Sequence, residues 1–326
     1  MSSAHVVYSP VAAQSHLAVF ASDVNEGLSA TQKELSSQYL YDEVGSALFD
    51  AITFLPEYGL TRADERVIHR CAPELARRLR GDVAIAELGS GSGRKTRHIV
   101  SEFSGRRHLA YFPIDVSTSA LDRCRSELSP YCDVRPVFDT YIAGMSSVAE
   151  RRRPGQRLLV LFLGSTIGNF TPAAARDFLT QIRRFLIPGD ALLIGADLVK
   201  PVDQLITAYD DPAGVTAAFN RNLLCRINRE LGGEFDLSKF RHEARYSRDE
   251  QRVEMHLRAM QRHSVVISAL DREFQFRKGE TIWTESSHKF RLEQLESMAT
   301  DCGFVQAKTW TDAEWPFAEC LWELET

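Results

Sequence analysis

Long hydrophobic runs are missing from this 326-residue chain. No stretch of about 18 apolar residues occurs, so nothing in it reads as a membrane-spanning helix. The N-terminal stretch MSSAHVVYSPVAAQSHLAVF lacks the basic start and unbroken apolar core of a secretory leader. Cysteine is sparse and scattered: Cys71, Cys124, Cys132, Cys225, Cys302 and Cys320 form no CxxC pair and have no histidine at zinc-finger spacing. That pattern indicates neither a metal site nor a disulfide framework; the residues read as reduced, mostly buried thiols, and cytoplasmic residence is expected. Basic charge is not in excess either. The formal net charge is −5, whereas a nucleic-acid binder shows clustered Lys and Arg. The one basic run, ERRRPGQR at 150–157, contains Pro154 and Gly155 and reads as a solvated loop. Internal repeats and low-complexity tracts are absent. The remainder, 44% hydrophobic and 25% charged, is ordinary globular material, enough for one large domain or two smaller ones.

From Asp82 onward strand and helix patterns alternate, which favours a parallel sheet with helices on both faces. VAIAEL (83–88), LAYFPID (109–115), a segment near VRPVFD (134–139), RLLVLFLG (157–164) and ALLIGADLV (191–199) read as successive strands. The fourth is almost continuously apolar, as a strand buried on both faces should be. Thr171 and Pro172 suit the cap and first position of the helix that follows it. After Lys200 the rhythm breaks. A long helix at 214–231 precedes RVEMHLRAM and HSVVISAL, which read as an antiparallel meander in a different domain. A helix stopped by Gly303 and two closing strands, FVQAKTW and FAECLWEL, complete seven strands ending in a hairpin.

Between the first strand and its helix lies AELGSGSGRKTRHI (86–99), with Gly89, Gly91 and Gly93 at alternate positions. Such spacing lets the backbone turn sharply and a ligand approach it closely. By itself it does not choose between a dinucleotide, a phosphate and S-adenosylmethionine. Five parallel strands plus a terminal hairpin fit a class I methyltransferase better than a dinucleotide dehydrogenase, whose last strand stays parallel. Asp115 ends the second strand 26 residues after Gly89, where a carboxylate can accept both ribose hydroxyls; helix capping is the competing role. Lys95, in the first helical turn, can pair with a carboxylate of the ligand or simply be a surface lysine.

Three further segments are odd for plain scaffold. YLYDEVGSALFDAITFLPEYGLTR (39–62) packs aromatics among turn formers, FLGSTIGNFTP (162–172) puts polar groups at a buried strand's end, and TIWTESSHKF (281–290) sets Glu285 and Ser287 two apart on one strand. At these segments the chain resembles the histidine-specific Nα-methyltransferases of the ergothioneine pathway, which convert histidine to the trimethylated betaine hercynine. The resemblance spans nearly the whole chain, through YDEVGSALFDAIT, LPEY, ELGSGS, FLGSTIGN, DLVK, AYDDPAGVTAAFNRNLL, DEQRVEMHLRA and TESSHKF in order.

The resemblance implies a Rossmann-like α/β methyltransferase domain at 63–199 and 287–326, with a seven-stranded sheet, and a second, α+β substrate-binding domain from 1–62 and 200–286. It implies S-adenosyl-L-methionine as cofactor, S-adenosyl-L-homocysteine as product, and no metal. L-Histidine and its mono- and dimethylated forms would be the substrates of a monomer with no nucleic-acid or membrane partner. The family's substrate residues map onto Tyr41, Phe49, Tyr58, Gly164, Asn169, Tyr209, Met255, Glu285 and Ser287, with Tyr41 and Asn169 catalytic. Its cofactor residues map onto Gly89, Lys95, Asp115, Asp139 and Thr140. Asn169 and Tyr209 would take the α-amino and carboxylate ends of the amino acid, and Glu285 and Ser287 a ring with two hydrogen-bonding nitrogens, which indole lacks.

Taken singly, each residue has a plainer role: core aromatics for Tyr41, Phe49 and Tyr58, strand packing for Met255, a helix cap for Asn169, a solvated strand face for Glu285 and Ser287. Their joint presence at family positions favours the functional role. The chain departs from the family pattern at Gly59 and Leu60, where the family commonly has a Tyr and a Pro, and at FDTY, where it commonly has GDF. Losing a fixed-φ proline and gaining a glycine predicts a looser loop. The alternatives are an N-methyltransferase for another amino acid such as a tryptophan derivative, a non-catalytic cofactor-binding module, and a nicotinamide oxidoreductase.

Overall fold

The computed structural model describes residues 10–104 and 109–324, with 10–16 as backbone only. The chain divides into two compact units, one comprising Thr53–Ala208, Tyr246–Val253 and Ser286–Thr326, the other Met1–Ile52, Tyr209–Arg245 and Glu254–Glu285. The first cut therefore falls ten residues ahead of the 62/63 boundary read from the sequence. The helix Gly59–Arg78 accounts for the shift, because its buried face, with Leu60, Ala63, Val67 and Ile68, packs on the C-terminal hairpin of the larger unit.

The larger unit is built on a sheet of eight strands: β1 (Val83–Leu88), β2 (Ala110–Asp115), β3 (Asp133–Val134), β4 (Val137–Phe138), β5 (Arg157–Phe162), β6 (Ala191–Asp197), β7 (Val305–Asp312) and β8 (Phe317–Glu323). Their order is β7-β8-β6-β5-β1-β2-β3, with β4 also on β2. Strands β1 to β6 pair in parallel, while β8 runs antiparallel to both β6 and β7. This is the class I methyltransferase arrangement. The expected third strand is two short pieces because Pro136 has no N–H to continue the ladder between them.

Alternate residues of the strands supply the two faces of the core. Ala86, Phe112, Val160, Phe162, Ile194 and Trp322 face one side, and Ile85, Tyr111, Leu159, Leu161, Leu193 and Leu321 the other. Thr171 Oγ1 accepts the N–H of Ala174 at 3.2 Å, and Pro172 opens the helix Pro172–Arg183. The basic run at 150–157 is not merely solvated. Arg152 pairs with Asp190, which is only 1% exposed, and Arg153 with Asp82 at 2.7 Å. Because β1 is flanked by β2 on one side and β5 on the other, the chain's connections diverge at its C-terminal end. Ligands of open α/β sheets bind in that crevice.

The smaller unit holds the helix Val215–Leu231, bounded by Gly214 and Gly232 at positive φ. A four-stranded sheet runs in the order Lys33–Glu34, Thr281–His288, Arg252–Ala259, Phe240–Ser247. The expected meander is split. His263–Ile267 pairs antiparallel with Arg272–Phe276 in a separate hairpin, closed through Asp271 at φ 48°, and so does not continue the sheet that contains Arg252–Ala259.

Candidate active site

In the larger unit the loop after β1 turns through Gly89 (φ 73°), Gly91 (φ 52°) and Gly93 (φ 73°), a backbone region that side chains rarely enter. A Cβ on Gly93 would lie 2.8 Å from Cys124 Sγ, so helix and loop are in van der Waals contact there. At Gly91 a Cβ would meet nothing within 4 Å, leaving that side of the main chain open to a ligand. Asp115, at the tip of β2, accepts the N–H of Gly91 at 3.3 Å and of Ser117 at 2.9 Å. Burial pushes its carboxyl above the usual aspartate range, against the pull of these N–H groups. Asp139 and Thr140 are exposed at the start of the helix Tyr141–Glu150, and Asp139 Oδ1 accepts the Thr140 N–H at 2.8 Å.

Lys95 is not a free surface lysine: its Nζ forms an ion pair with Asp64, whose side chain is fully buried. Burial alone would lower the lysine's pKa, but the Asp64 carboxylate, through its charge and its hydrogen bond, outweighs it and holds the ammonium above its ordinary value. Sequence reasoning assigned no role to Asp64, Glu87 or Glu319. Glu87, inside β1, accepts from Thr96 Oγ1 at 2.7 and 2.8 Å and from the Tyr111 hydroxyl, so it ties the helix start and β2 to the strand before the loop. Burial raises its pKa to about 7. Glu319, on β8, hydrogen-bonds Asp64 and is pushed well above the carboxylate range by burial and by that neighbour's charge; it is the neutral member. Two facing carboxyls can bond only by sharing a proton, which satisfies oxygens that otherwise have no donor. The legible signal was the placement of Glu87 in an otherwise apolar strand and of Glu319 between the apolar residues Ala318 and Cys320.

The end of β5 leads to Gly164 (φ 73°), where a Cβ would lie 3.5 Å from Lys95 Nζ. Ser165 follows with φ 61°, its Oγ accepting the Asp197 N–H at 2.9 Å. Asn169, half-buried, closes the short 3-10 turn Thr166–Asn169. It is not the cap of the next helix, since Thr171 fills that role. Tyr58 is buried just before Gly59, whose Cβ would come 2.2 Å from Trp315 Cε3. Gly59 therefore does not loosen a loop; it opens a helix and allows the indole to close over it. Ser287 is buried, and Lys289 Nζ donates to its Oγ at 2.8 Å while pairing with Asp197 at 3.0 Å.

In the smaller unit Tyr41 and Phe49, both half-buried, meet edge-on at 5.5 Å, and each lies against Phe219, at 5.5 and 5.9 Å. Phe219 was not anticipated; it belongs to AYDDPAGVTAAFNRNLL and faces inward at 2% exposure. Tyr209 is held through its carbonyl, which accepts from His242 Nε2 at 2.7 Å, while Asn220 Nδ2 meets His242 Nδ1 at 2.9 Å. Burial lowers the His242 pKa, so the ring is neutral, donating to Tyr209 and accepting from Asn220. Met255 is buried on its strand, and its carbonyl accepts from Thr284 Oγ1 at 3.0 Å. Glu285 is half-buried, its carbonyl accepting from Trp283 Nε1 at 2.9 Å. The sequence-derived residues thus fall in both units, with Tyr41, Phe49, Tyr209, Met255 and Glu285 in this one.

Among the described residues no group of three or more His, Cys, Asp or Glu side chains could hold a metal ion. No described helix is long and apolar enough to cross a membrane. The donors and acceptors around the glycine loop fit S-adenosylmethionine: an open main chain at Gly91, an acceptor at Asp115 and a cation at Lys95.

The sequence profile of a family described as "Histidine-specific methyltransferase, SAM-dependent" matches residues 20–324. A histidine N-alpha-methyltransferase of Mycolicibacterium smegmatis is 41% identical over 318 residues, covering 95% of this chain and 97% of the relative. One of Mycobacterium tuberculosis is 42% identical over 302 residues, covering 92% and 93%. The "Ergothioneine biosynthesis protein 1" of Neurospora crassa is 29% identical over 296 residues, covering 86% of this chain and 32% of that longer protein.

Proposed function

This chain belongs to the SAM-dependent, histidine-specific methyltransferase family, and we propose that it methylates the α-amino nitrogen of free L-histidine three times in succession, giving hercynine for ergothioneine biosynthesis. It is an S-adenosylmethionine-dependent enzyme. We assign it to the cytoplasm, acting as a monomer, with the larger unit (53–208, 246–253, 286–326) as methyltransferase domain and the smaller as substrate-binding domain. The full-length match to histidine Nα-methyltransferases is the observation that carries this reading.

Bound S-adenosylmethionine supplies a methyl group activated on a sulfonium. In this reading Gly89, Asp115, Asp139 and Thr140 hold the adenosine end and Lys95 the methionyl carboxylate, with Asp64 keeping that lysine charged. The remaining task is positioning, because in-line displacement needs a neutral amine lone pair aligned on the methyl carbon and little acid catalysis. An amino group with a pKa of roughly 8 is partly protonated at neutral pH and must lose its proton, in our assignment through the Tyr41 hydroxyl to water. Asn169 and Tyr209 orient the amino and carboxylate ends, Gly164 lets substrate approach the main chain, and Glu285 and Ser287 read the ring. Tyr41, Phe49, Tyr58 and Met255 surround an amine that gains a methyl each cycle. Phe219 supports this role, since it braces both Tyr41 and Phe49, whose faces suit a quaternary ammonium.

Mass spectrometry of amino-acid mixtures incubated with the protein and S-adenosylmethionine tests the assignment. Histidine should gain one, two and three methyls. Methylation of tryptophan in preference to histidine, or of neither, would overturn it.

A further inference from the structure

Asp197 is a fully buried aspartate at the end of β6 that the methyl-transfer chemistry does not use. Lys200 and Lys289 both pair with it, Lys289 at 3.0 Å, so two ammonium groups already balance its one charge. It also accepts the indole Nε1–H of Trp315 at 3.0 Å, and Lys200 Nζ stands 4.8 Å from the centre of the same indole. Trp315 lies in the turn between β7 and β8 and is buried. Its backbone N–H donates to Asp312 Oδ2 at 2.9 Å, and Asp312 in turn accepts two hydrogen bonds from Arg66, at 2.9 and 2.6 Å. Both ends of this residue are therefore fixed, the indole by β6 and the main chain by the helix Gly59–Arg78.

The indole is pressed on the first residue of that helix. A Cβ on Gly59 would lie 2.2, 2.6 and 2.8 Å from Trp315 Cε3, Cδ2 and Cζ3, so the six-membered ring covers the glycine. Gly59 has no positive φ and does not need to be glycine for its backbone. In a helix glycine is less favourable than alanine, so what it provides here is room for the ring. Tyr58 immediately precedes it and is buried. The Tyr58 N–H donates to the Leu55 carbonyl at 3.2 Å, and Arg62 donates to the carbonyls of Leu55 and Pro56 at 2.8 and 2.6 Å. The turn that carries Tyr58 is thus closed by Arg62 and seated, through Gly59, against Trp315.

We propose that Trp315 is a positioning residue for substrate binding: held by Asp197, its indole presses on Gly59 and so fixes where Tyr58 stands in the site. The proposal rests on the reading that Tyr58 contacts the amino acid. It deepens that reading by giving the buried aspartate and the hairpin turn a part in histidine recognition.

Calorimetric titration of histidine into the S-adenosylhomocysteine-saturated protein tests it. Trp315→Phe removes the Nε1 donor while Asp197 keeps both lysines. Gly59→Ala leaves the polar bonds in place and forces the indole away. Each should weaken histidine binding roughly fivefold, with S-adenosylhomocysteine affinity unchanged. Tyr58→Ala should weaken histidine binding roughly tenfold or more. Trp315→Phe combined with Tyr58→Ala should match Tyr58→Ala alone, because Trp315 acts through the tyrosine. Wild-type histidine affinity in Tyr58→Ala overturns the Tyr58 contact and the proposal with it. A loss in Tyr58→Ala with none in Trp315→Phe, or a further loss in the double variant, overturns the role of Trp315 while the Tyr58 contact stands. Loss of S-adenosylhomocysteine affinity equal to that of histidine would make Trp315 a general support of the fold and overturn the proposal. If Trp315→Phe does not fold, Gly59→Ala, alone and combined with Tyr58→Ala, decides by the same criteria.

Discussion

The backbone N–H of Gly91 donates to the side chain of Asp115 at 3.3 Å, so the tip of the second parallel strand holds the glycine loop that follows the first. The aspartate proposed to bind the ribose hydroxyls therefore also braces the turn on which we propose the cofactor lies. Asp115→Ala should weaken S-adenosylhomocysteine binding by roughly 2 to 4 kcal/mol, through two lost charge-assisted hydrogen bonds, and leave the fold intact. Calorimetry checks the affinity and thermal melting the fold; an unchanged dissociation constant would refute the assignment.

Glu87 makes stability pH-dependent. Its carboxyl titrates near 7 in the folded chain and near 4.5 in the unfolded one, chiefly because of burial. The folded state thus holds the proton longer, its contribution is most favourable below 4.5, and stability is lost as pH rises from 4.5 to 7. Glu87→Gln, which cannot ionise, should flatten that part of the curve. Denaturant midpoints collected across the window for both proteins decide it, and parallel curves would assign the dependence elsewhere.

Asn169 stands free of the capping duty that Thr171 performs, so a near-isosteric change there should act on chemistry rather than on the helix. In the proposed binding mode Asn169→Asp loses the amide donor and puts negative charge beside the substrate carboxylate. A fall in kcat/KM for histidine of roughly a hundredfold or more is expected, corresponding to about 3 kcal/mol. Cofactor affinity and melting temperature should barely move. Near-parental turnover would show that Asn169 does not orient the substrate.

Glu285→Ala should lower histidine affinity at least roughly tenfold, since it removes an acceptor for a ring N–H in a half-buried position. S-adenosylhomocysteine binding, measured on the same preparation, serves as the control. Equal loss of both affinities would point to damage to the fold, and loss of neither would move the ring contact to another side chain.

The parallel sheet, its glycine loop and its terminal hairpin were legible in the amino-acid order because they rest on local chemistry. Apolar periodicity marks strands that must be buried on both faces, Thr171 and Pro172 mark a helix start, and Gly89, Gly91 and Gly93 allow a turn that β-carbon sterics disfavour for other residues. The family motifs carried the activity in the same way, as residues at set positions along one chain. What depended on atoms distant in sequence was decided only by folding. Lys95 looked like a free cation until Asp64, 31 residues away, paired with it, and Glu319 lies on the last strand, far beyond the reach of any local pattern. Gly59 suggested a looser loop, yet the Trp315 indole packed over it makes it a close-contact glycine. Phe219 completes the aromatic group of Tyr41 and Phe49 from a helix whose sequence gives no sign of which side chain turns toward them. Spacing and periodicity encode what a residue does for its own element. Burial, ion pairing and the protonation states they impose come from neighbours that tertiary packing brings together, since desolvation and Coulomb interactions depend on distance in space and not along the chain.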